Sequence, residues 1–294
     1  TQTIRYLQAR KRGSVTEIPT ILAPCGELLP GALAIKPFKK KLFLAYARLR
    51  GLFRGVIWRA SFDSEKDAIR SVIGSDSLVK IAADLTPKTI LPDFEVSEKP
   101  AKTAGAVKIV FLARLARKKN LGFLLECLRD VENGKVELEI IGPLEDKKYW
   151  AECSKLIEQL PRNVTVTTVG SIDNAAALER LKAAHFFVMP TLSENFGYVF
   201  IEALAAGSPL VLSDRTDWNA IETAGAGWII PLEDQSGWTS RLSKLIDQPE
   251  DDFNRMSSAA RKFAVAWLAE PGLEAATDDL FRFALERRGR AVAR

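Results

Sequence analysis

The sequence predicts an α/β protein built on doubly wound parallel sheets, in which helices cover both faces of each sheet. From residue 106 onward, short apolar segments alternate with segments whose apolar residues recur at helical spacing, as in successive β-α-β units. The apolar segments are continuous rather than alternating, which is typical of strands buried on both faces. Gly142-Pro143, Gly170 and Pro190 end three of these segments as turn residues.

The elements of the second half follow from this alternation. Strands are predicted at residues 107–112, 136–141, 164–169, 185–189 and 209–213. Helices are predicted between them at 121–131, 145–160, 175–183 and 197–206. Asp173 is expected to cap the start of the third helix, and Gly207 is expected to end the fourth.

The first 83 residues show a weaker form of the same alternation. Strands are predicted at 18–23 and 56–60, and helices at 40–53 and 65–73. Residues 84–103 are rich in Pro, Lys and Thr and carry little periodicity, so a linker is predicted there. We therefore divide the chain into a first domain at 1–88, a linker at 89–105, a second domain at 106–250 and C-terminal helices at 251–294.

Composition excludes several classes of protein. The 294 residues are 47% hydrophobic and 27% charged, which is ordinary for a globular protein, and no apolar run approaches the length that spans a bilayer. Cys25, Cys127 and Cys153 lie far apart without a CxxC spacing, which argues against a disulfide framework or a zinc site and favours a reducing, cytoplasmic compartment. The single histidine, His185, opens an apolar run and is interpreted as structural rather than catalytic.

The net charge of +5 is unevenly distributed. Residues 1–60 hold 12 Lys and Arg against 2 Asp and Glu, whereas the rest of the chain is net acidic. This segment therefore predicts an anionic partner, but it contains no nucleic-acid-binding motif, and we expect no nucleic-acid partner. Within residues 39–58, Leu42, Tyr46, Leu49, Phe53 and Val56 fall on one helical stripe beside basic residues. Two interpretations stay open: contact with an anionic membrane surface, or packing of the stripe on the first sheet.

The segment from Pro190 to Gly207 is the strongest candidate for a functional site. A predicted strand ends at Pro190, a polar loop follows, and a helix opens at Gly197. Ligands of open α/β sheets bind at the carboxyl ends of the strands, and a helix start favours phosphate or hydroxyl groups. Glu194 and Glu202 could accept hydrogen bonds from the hydroxyls of a sugar. An ordinary loop with an acid near a helix start would give the same pattern.

This segment resembles the signature of retaining GT-B glycosyltransferases of family 4, of the polysaccharide-assembly type. The matching residues are Glu194, Phe196, Gly197, Glu202, Ala203, Ala205, Gly207 and Pro209. A second motif of that family, an Arg after the first strand of the nucleotide-binding domain and a Lys five residues later, matches Arg114 and Lys119. Two motifs in the expected order are more specific than either alone.

The resemblance implies a function and a role for each matching residue. It implies two Rossmann-type domains and transfer of a sugar, with retention, from a nucleotide-diphosphate sugar, of the UDP or GDP type, to a saccharide or lipid-linked acceptor. Arg114, Lys119 and Glu194 would act at the reaction centre, the two cations on the diphosphate and Glu194 on the transferred sugar. The donor would also contact Gly142, Gly170, Ser171, Asn195, Phe196, Gly197 and Glu202, and neither a metal nor another cofactor is implied.

The first segment resembles the later part of the family's acceptor domain. Ala23 to Leu33 followed by Lys39-Lys40-Lys41 resembles a polysaccharide-assembly subgroup, although Cys25 stands where that subgroup often has Arg. We expect the N-terminal sheet to be incomplete, because a strand and a glycine-rich loop should precede this point. The alternative function is therefore a truncated or inactive module that binds a nucleotide sugar without turnover. A dehydrogenase is disfavoured, since no G-x-G-x-x-G follows a predicted strand.

Overall fold

A computed structural model describes residues 2–15, 18–86 and 99–292, with side chains to residue 287. The chain divides into two compact units, one formed by Thr1–Leu85 with Pro271–Arg294 and the other by Thr86–Glu270. Residues 89–98 of the predicted linker lie outside the described residues. The assignment of the units to acceptor and donor sides stays a prediction.

The first unit contains a parallel sheet of three strands in the order β1-β2-β3. The strands are β1 (Thr20–Leu22), β2 (Val56–Ala60) and β3 (Leu78–Ile81). Its helices are α1 (Gln2–Lys11), α2 (Pro30–Ala34), α3 (Pro37–Leu49), α4 (Asp63–Ile73) and the last helix of the chain, α12 (Pro271–Val292).

Both faces of this first sheet are covered by apolar side chains. Val56 and Trp58 point to one face, as alternate residues of a strand do, and pack with Leu7 of α1 and Ile69 of α4. Ile57 points to the opposite face and packs with side chains of α12. The doubly wound arrangement predicted from the continuous apolar segments is thus present in this unit.

The predicted helix at 40–53 is shorter than expected, and this changes its apolar stripe. α3 ends at Leu49, and the chain then turns through Gly51, whose φ of 57° is left-handed. Val56 lies in β2 and is buried, and Phe53 packs against the same core. The prediction of one continuous stripe from Leu42 to Val56 is therefore wrong, because glycine turns separate the helix from the strand.

The second unit is built on a parallel sheet of six strands in the order β6-β5-β4-β7-β8-β9. These are β4 (Ala106–Leu112), β5 (Lys135–Ile141), β6 (Val164–Gly170), β7 (Phe186–Met189), β8 (Leu210–Ser213) and β9 (Gly227–Ile230). Its helices are α5 (Leu121–Arg129), α6 (Lys147–Glu158), α7 (Asn174–Ala183), α8 (Tyr198–Ala205), α9 (Ala220–Thr223), α10 (Gln235–Asp247) and α11 (Glu250–Ala269). The predicted α/β class with parallel sheets is confirmed.

The order of the strands determines where a ligand can bind. The chain runs outward from β4 through β5 to β6 and then returns to place β7 on the other side of β4. Loops leaving β4 and β7 therefore diverge toward opposite faces, which opens a crevice at the carboxyl ends of these two strands. The predicted site residues after β4 and β7 lie on the two sides of this crevice.

Local predictions about the ends of helices agree with the structure. Asp173 caps α7, since its Oδ1 accepts a hydrogen bond of 2.8 Å from the amide of Ala176. Gly207 has a φ of 70° and follows the C-cap residue of α8, where a left-handed conformation ends a helix most easily.

His185 is buried at the start of β7 and is held by the backbone of β4. Its Nδ1 accepts a hydrogen bond of 2.9 Å from the amide of Lys108, and its own amide donates to the Lys108 carbonyl at 2.9 Å. Burial and, to a smaller extent, the charge of the nearby Lys102 lower the pKa of the imidazole to about 4. The structural interpretation of this histidine agrees with these contacts.

Candidate functional site

The loops that follow β4 and β7 are joined to each other by hydrogen bonds. The Lys118 carbonyl accepts hydrogen bonds from the amide of Leu192 at 2.8 Å and from Oγ1 of Thr191 at 3.0 Å. Ser213, at the end of β8, donates from Oγ to the Thr191 carbonyl at 2.6 Å. Three strand ends are thereby fixed around one short segment, residues 191–197, which we call the site loop.

An ion pair joins the two sides of the crevice. Nζ of Lys119 donates to Oε2 of Glu194, and their side chains are only 15% and 11% exposed. The other carboxylate oxygen of Glu194 accepts a hydrogen bond of 3.2 Å from the amide of Asn195. The sequence placed these two residues in separate motifs, and the fold brings the cation and the carboxylate into direct contact.

Gly197 is required by the conformation of the site loop. Its φ of 77° is left-handed, and a Cβ there would lie 2.6 Å from the ring of Phe200 and 3.1 Å from Cγ of Glu194. α8 begins at the next residue, Tyr198. The glycine therefore lets Glu194 and the first turn of α8 approach each other closely, which places a carboxylate beside the N-terminus of a helix.

Aromatic side chains support the site loop from behind. Nε1 of Trp218 donates a hydrogen bond of 2.7 Å to the Phe196 carbonyl, and both residues are buried. The Phe196 ring packs against the rings of Tyr198, Trp218 and Trp267. Trp218 could not be predicted, since a tryptophan outside any motif carries no signal of this role.

Arg114 lies at the end of β4 and is exposed. Its Nη1 donates to Oε2 of Glu145 at 2.8 Å, and about half or more of each side chain is exposed to solvent. This ion pair is separate from the one between Lys119 and Glu194. An exposed pair of this kind is weak and is exchanged easily for a bound anion.

The glycines predicted to approach a ligand differ in their surroundings. Gly142, after β5, has a φ of 137°, and a Cβ there would lie 1.9 Å from the Ala113 carbonyl oxygen. Gly170, at the end of β6, has open space on that side, and Ser171 after it is exposed. Gly142 is thus required by packing against the loop after β4, whereas Gly170 and Ser171 are accessible.

Glu202 lies on α8 and is half-buried. Burial raises the pKa of its carboxyl group above the usual value. A hydroxyl that donates a hydrogen bond to the carboxylate would therefore stabilise its ionised form. Asn195 is buried in the site loop. Among the described residues, no group of three or more His, Cys, Asp or Glu side chains could hold a metal ion.

Two further residues border the site loop without having been predicted. The Arg215 carbonyl accepts a hydrogen bond of 3.2 Å from the amide of Glu194, and its guanidinium pairs with Glu233. Lys118 supplies the carbonyl that joins the two loops. Both act through main-chain atoms, which any residue type offers, and a sequence pattern therefore cannot reveal them.

Known proteins resemble this chain in sequence over part of its length. Phosphatidyl-myo-inositol mannosyltransferase of Mycobacterium leprae is 27% identical over 143 residues, which cover 47% of this chain and 37% of that protein. The enzyme of the same name from Mycolicibacterium smegmatis is 28% identical over 158 residues, which cover 52% of this chain and 39% of that protein. The aligned regions thus span less than two fifths of these relatives.

Solved structures resemble nearly the whole chain in fold. Sucrose-phosphate synthase of Thermosynechococcus elongatus superposes with a TM-score of 0.74 at 14% identity, covering 95% of this chain and 71% of that protein. HepE of Anabaena in complex with UDP-glucose gives a TM-score of 0.74 at 14% identity, covering 96% and 76%. These likenesses show the GT-B-like fold.

The family assignment rests on the second unit, which contains the crevice, the site loop and the ion pair between Lys119 and Glu194. The family of known proteins described as "Glycosyl transferases group 1" matches residues 93–263, more than half of the chain. The chain belongs to this family, Glycosyl transferases group 1.

Proposed function

We propose that this chain forms the nucleotide-sugar-binding part of a glycosyltransferase acting in glycolipid or surface-polysaccharide biosynthesis. The reaction transfers a sugar from a nucleotide-diphosphate sugar to a saccharide or lipid-linked acceptor with retention of configuration. One observation carries the proposal: Lys119 and Glu194 meet at the switch point of the sheet, beside the first turn of α8. Family membership and the resemblance to retaining family 4 enzymes support it.

The diphosphate is assigned to the two cations that follow β4. Negative charge grows on the leaving diphosphate as the glycosidic bond breaks, and fixed positive groups at that position stabilise the transition state. Lys119 is held at the crevice, and Arg114 needs only to exchange the carboxylate of Glu145 for a phosphate oxygen. Guanidinium groups bind phosphate through two parallel hydrogen bonds, whereas ammonium groups act as point charges.

The sugar and the nucleoside are assigned to the site loop and α8. Glu194 accepts hydrogen bonds from hydroxyls of the transferred sugar once Lys119 turns to the diphosphate. Backbone groups of Asn195, Phe196 and Gly197 lie beside it. Glu202 accepts from the ribose hydroxyls, and Gly142, Gly170 and Ser171 border the nucleoside end of the crevice. This division gives the diphosphate cationic partners and the sugar and ribose hydroxyls carboxylate acceptors.

We propose a UDP or GDP sugar as donor, with no metal or other cofactor and a cytoplasmic location. Support for a uridine donor comes from the fold likeness to HepE, a structure obtained with UDP-glucose. The three cysteines are free thiols, which fits a reducing compartment. No helix among the described residues is long and apolar enough to cross a bilayer.

The test is a thermal-shift screen of the chain against UDP, GDP, ADP and dTDP, each with and without a sugar. A ligand at about 100 times its Kd stabilises the folded state by about 2.7 kcal/mol, so one nucleotide should raise Tm clearly above the others. The variant Glu202→Gln should reduce this rise, whereas Glu152→Gln, at an exposed ion pair with Arg117, should not. A screen in which no nucleotide raises Tm would contradict the proposal.

A second readout separates turnover from binding. Release of nucleoside diphosphate from the donor, measured with and without saccharide acceptors, detects the chemical step. Binding without any release would instead identify a nucleotide-sugar-binding module without turnover.

A further inference from the structure

The outward side of α3 presents large apolar side chains to solvent. Phe38, Leu42 and Leu49 are 79%, 64% and 85% exposed. Helical spacing of 100° per residue places these three within about 40° of one another, with Tyr46 at their border. On the opposite side of the same helix, Ala47 is buried and Leu44 packs against the core of the first unit. α3 is therefore apolar toward both the protein and the solvent.

Basic side chains flank the exposed apolar stripe on both sides. Lys39 and Arg50 lie along one border, and Lys41 and Arg48 lie along the other, by the same helical spacing. The sequence contains no Asp or Glu from residue 28 to residue 62. The stripe is thus bordered by positive charge alone.

We propose that α3 is an interfacial helix that docks this unit on an anionic lipid surface. Phe38, Leu42 and Leu49 reach below the level of the headgroups, and Lys39 and Lys41 lie among the lipid phosphates. Helices that lie in the plane of a membrane combine these two features, an apolar face and flanking cations, and their binding depends on anionic lipid. The 13 residues of α3 give a contact about 20 Å long.

Charge favours lipid over a second copy of the chain as the occupant of this face. Two copies meeting through the same stripe would bring their basic borders together, and like charges at an interface oppose association. A plane of anionic headgroups instead neutralises both borders at once. The inference goes beyond the proposed function, since it concerns the first unit and requires no nucleotide.

The contacts of the basic residues indicate which of them to change. Lys40 is paired with Glu27 at 2.8 Å, and Arg48 donates to the Val72 carbonyl at the end of α4, so both have structural roles. Lys39 and Lys41 are exposed. The charge variant is therefore Lys39→Gln with Lys41→Gln, and the apolar variant is Phe38→Gln, Leu42→Gln and Leu49→Gln, since glutamine preserves helix propensity.

Matched controls come from other exposed positions of the chain. Phe281 and Leu285 on α12 are 55% and 62% exposed, but α12 also carries acidic residues. The double variant Phe281→Gln with Leu285→Gln removes two exposed apolar side chains of the same types away from α3. Lys155→Gln with Lys262→Gln removes two exposed lysines of the second unit. Circular dichroism and Tm verify that each variant is folded.

The experiment is co-sedimentation of the chain with vesicles of phosphatidylcholine alone, or with about one third phosphatidylglycerol. We expect binding only to the anionic vesicles at about 50 mM salt, and its loss at about 500 mM, where the Debye length is a few ångströms. The charge variant should bind roughly 20-fold more weakly, since each lysine near the surface contributes about fivefold. The apolar variant should bind weakly at both salt concentrations, and both controls should bind like the unchanged chain.

Three outcomes would overturn the proposal. The first is that the unchanged chain does not sediment with anionic vesicles at low salt. The second is that it binds neutral vesicles equally well. The third is that a control variant loses as much binding as the α3 variants. If light scattering shows a dimer that the apolar variant alone disrupts, and vesicles bind no protein, the occupant of α3 is a second copy. Nucleotide binding in the thermal-shift screen is read separately and is unaffected by any of these results.

Discussion

Lys119 and Glu194 form an ion pair although 75 residues separate them in the chain. Each belongs to a different loop of the crevice, and each is assigned to a different part of the donor, the diphosphate and the sugar. Because both side chains are largely buried, the pair is screened little by solvent. Under the proposed function, donor binding exchanges this contact for two new ones, and we expect the two residues to respond differently when one of them is changed.

Replacing Glu194 by Gln should separate diphosphate binding from sugar binding. The variant frees Lys119 from its carboxylate, so we expect affinity for the nucleoside diphosphate to stay equal or to rise severalfold. The additional affinity gained from the sugar should fall, and sugar transfer should slow by about 100-fold or more, as when a fixed group is removed from a transition state. Calorimetry with UDP and a UDP sugar, or the matching GDP pair, measures both effects.

The control for this variant is Glu152→Gln, which removes an exposed carboxylate from the ion pair with Arg117. Glu152→Gln should change neither the affinity for the nucleoside diphosphate nor the affinity for the nucleotide sugar. Equal weakening of the diphosphate and the sugar donor by Glu194→Gln would show that Glu194 only holds the loop in place.

Arg114→Ala and Lys119→Ala should weaken binding of the diphosphate and leave binding of the bare nucleoside unchanged. A hydrogen bond to a charged group contributes about 1.5–3 kcal/mol, so each variant should lose about 10- to 100-fold in affinity for the diphosphate. Arg117→Ala is the matched control, because this arginine lies in the same loop but pairs with Glu152. If nucleoside and diphosphate weaken together, the two cations do not bind phosphate.

Nucleotide affinity should depend on pH through Glu202. Burial raises the pKa of this carboxyl group, and only the ionised form can accept hydrogen bonds from both ribose hydroxyls. Affinity should therefore fall as the pH decreases from neutral, and the fall should begin above the usual range of a glutamate. Glu202→Gln should bind more weakly at pH 7 and should show a flatter profile in calorimetric titrations. An unchanged profile in this variant would assign the pH dependence to another group.

Stability should depend on pH through the single histidine. The pKa of His185 is lowered to about 4 by burial, whereas an unfolded histidine titrates near 6.5. The unfolded chain therefore binds more protons between these values, and the free energy of unfolding should decrease by about 3 kcal/mol as the pH falls from 6.5 to 4. Urea unfolding of His185→Asn, which keeps an acceptor near Nδ1, should show a smaller decrease over this range. An equal decrease in both proteins would assign the effect to carboxylates.

The sequence predicted those parts of the site that depend on local pattern. Signals within a few residues mark the strands buried on both faces, the helix that opens near Gly197 and the motifs around Arg114, Lys119 and Glu194. The contact between Lys119 and Glu194 could not be predicted, because it depends on the order of strands across the sheet.

Elements with weak local signals escaped prediction for physical reasons. β3 is short and lies partly exposed at the edge of its sheet, so its residues do not form a buried apolar run. The predicted helix at 40–53 runs past Gly51, where the real helix has already ended. The apolar residues beyond Gly51 continue the helical spacing only by coincidence. Phe53 and Val56 pack in the core of the first unit. Their burial depends on the turn that separates α3 from β2 and not on helical periodicity.

The support of the site loop by Trp218 gives the last prediction. Trp218→Phe keeps most of the ring but removes the indole N–H that donates to the Phe196 carbonyl at 2.7 Å. A buried carbonyl left without its donor costs about 1–3 kcal/mol, so the free energy of unfolding should decrease by that amount. The site loop should also lose its fixed position, and affinity for the nucleotide sugar should fall although Trp218 is not assigned to the ligand.

Trp238→Phe is the matched control for this prediction. Trp238 is equally buried, its Nε1 donates to the Pro231 carbonyl just after β9 at 3.1 Å, and its ring packs against Phe123 of α5. Both variants should lower the free energy of unfolding in urea to a similar extent, but only Trp218→Phe should weaken donor binding and raise the amide exchange rates of Gly197 and Tyr198. Equal loss of affinity in the two variants would mean that general destabilisation, rather than the position of the site loop, controls binding.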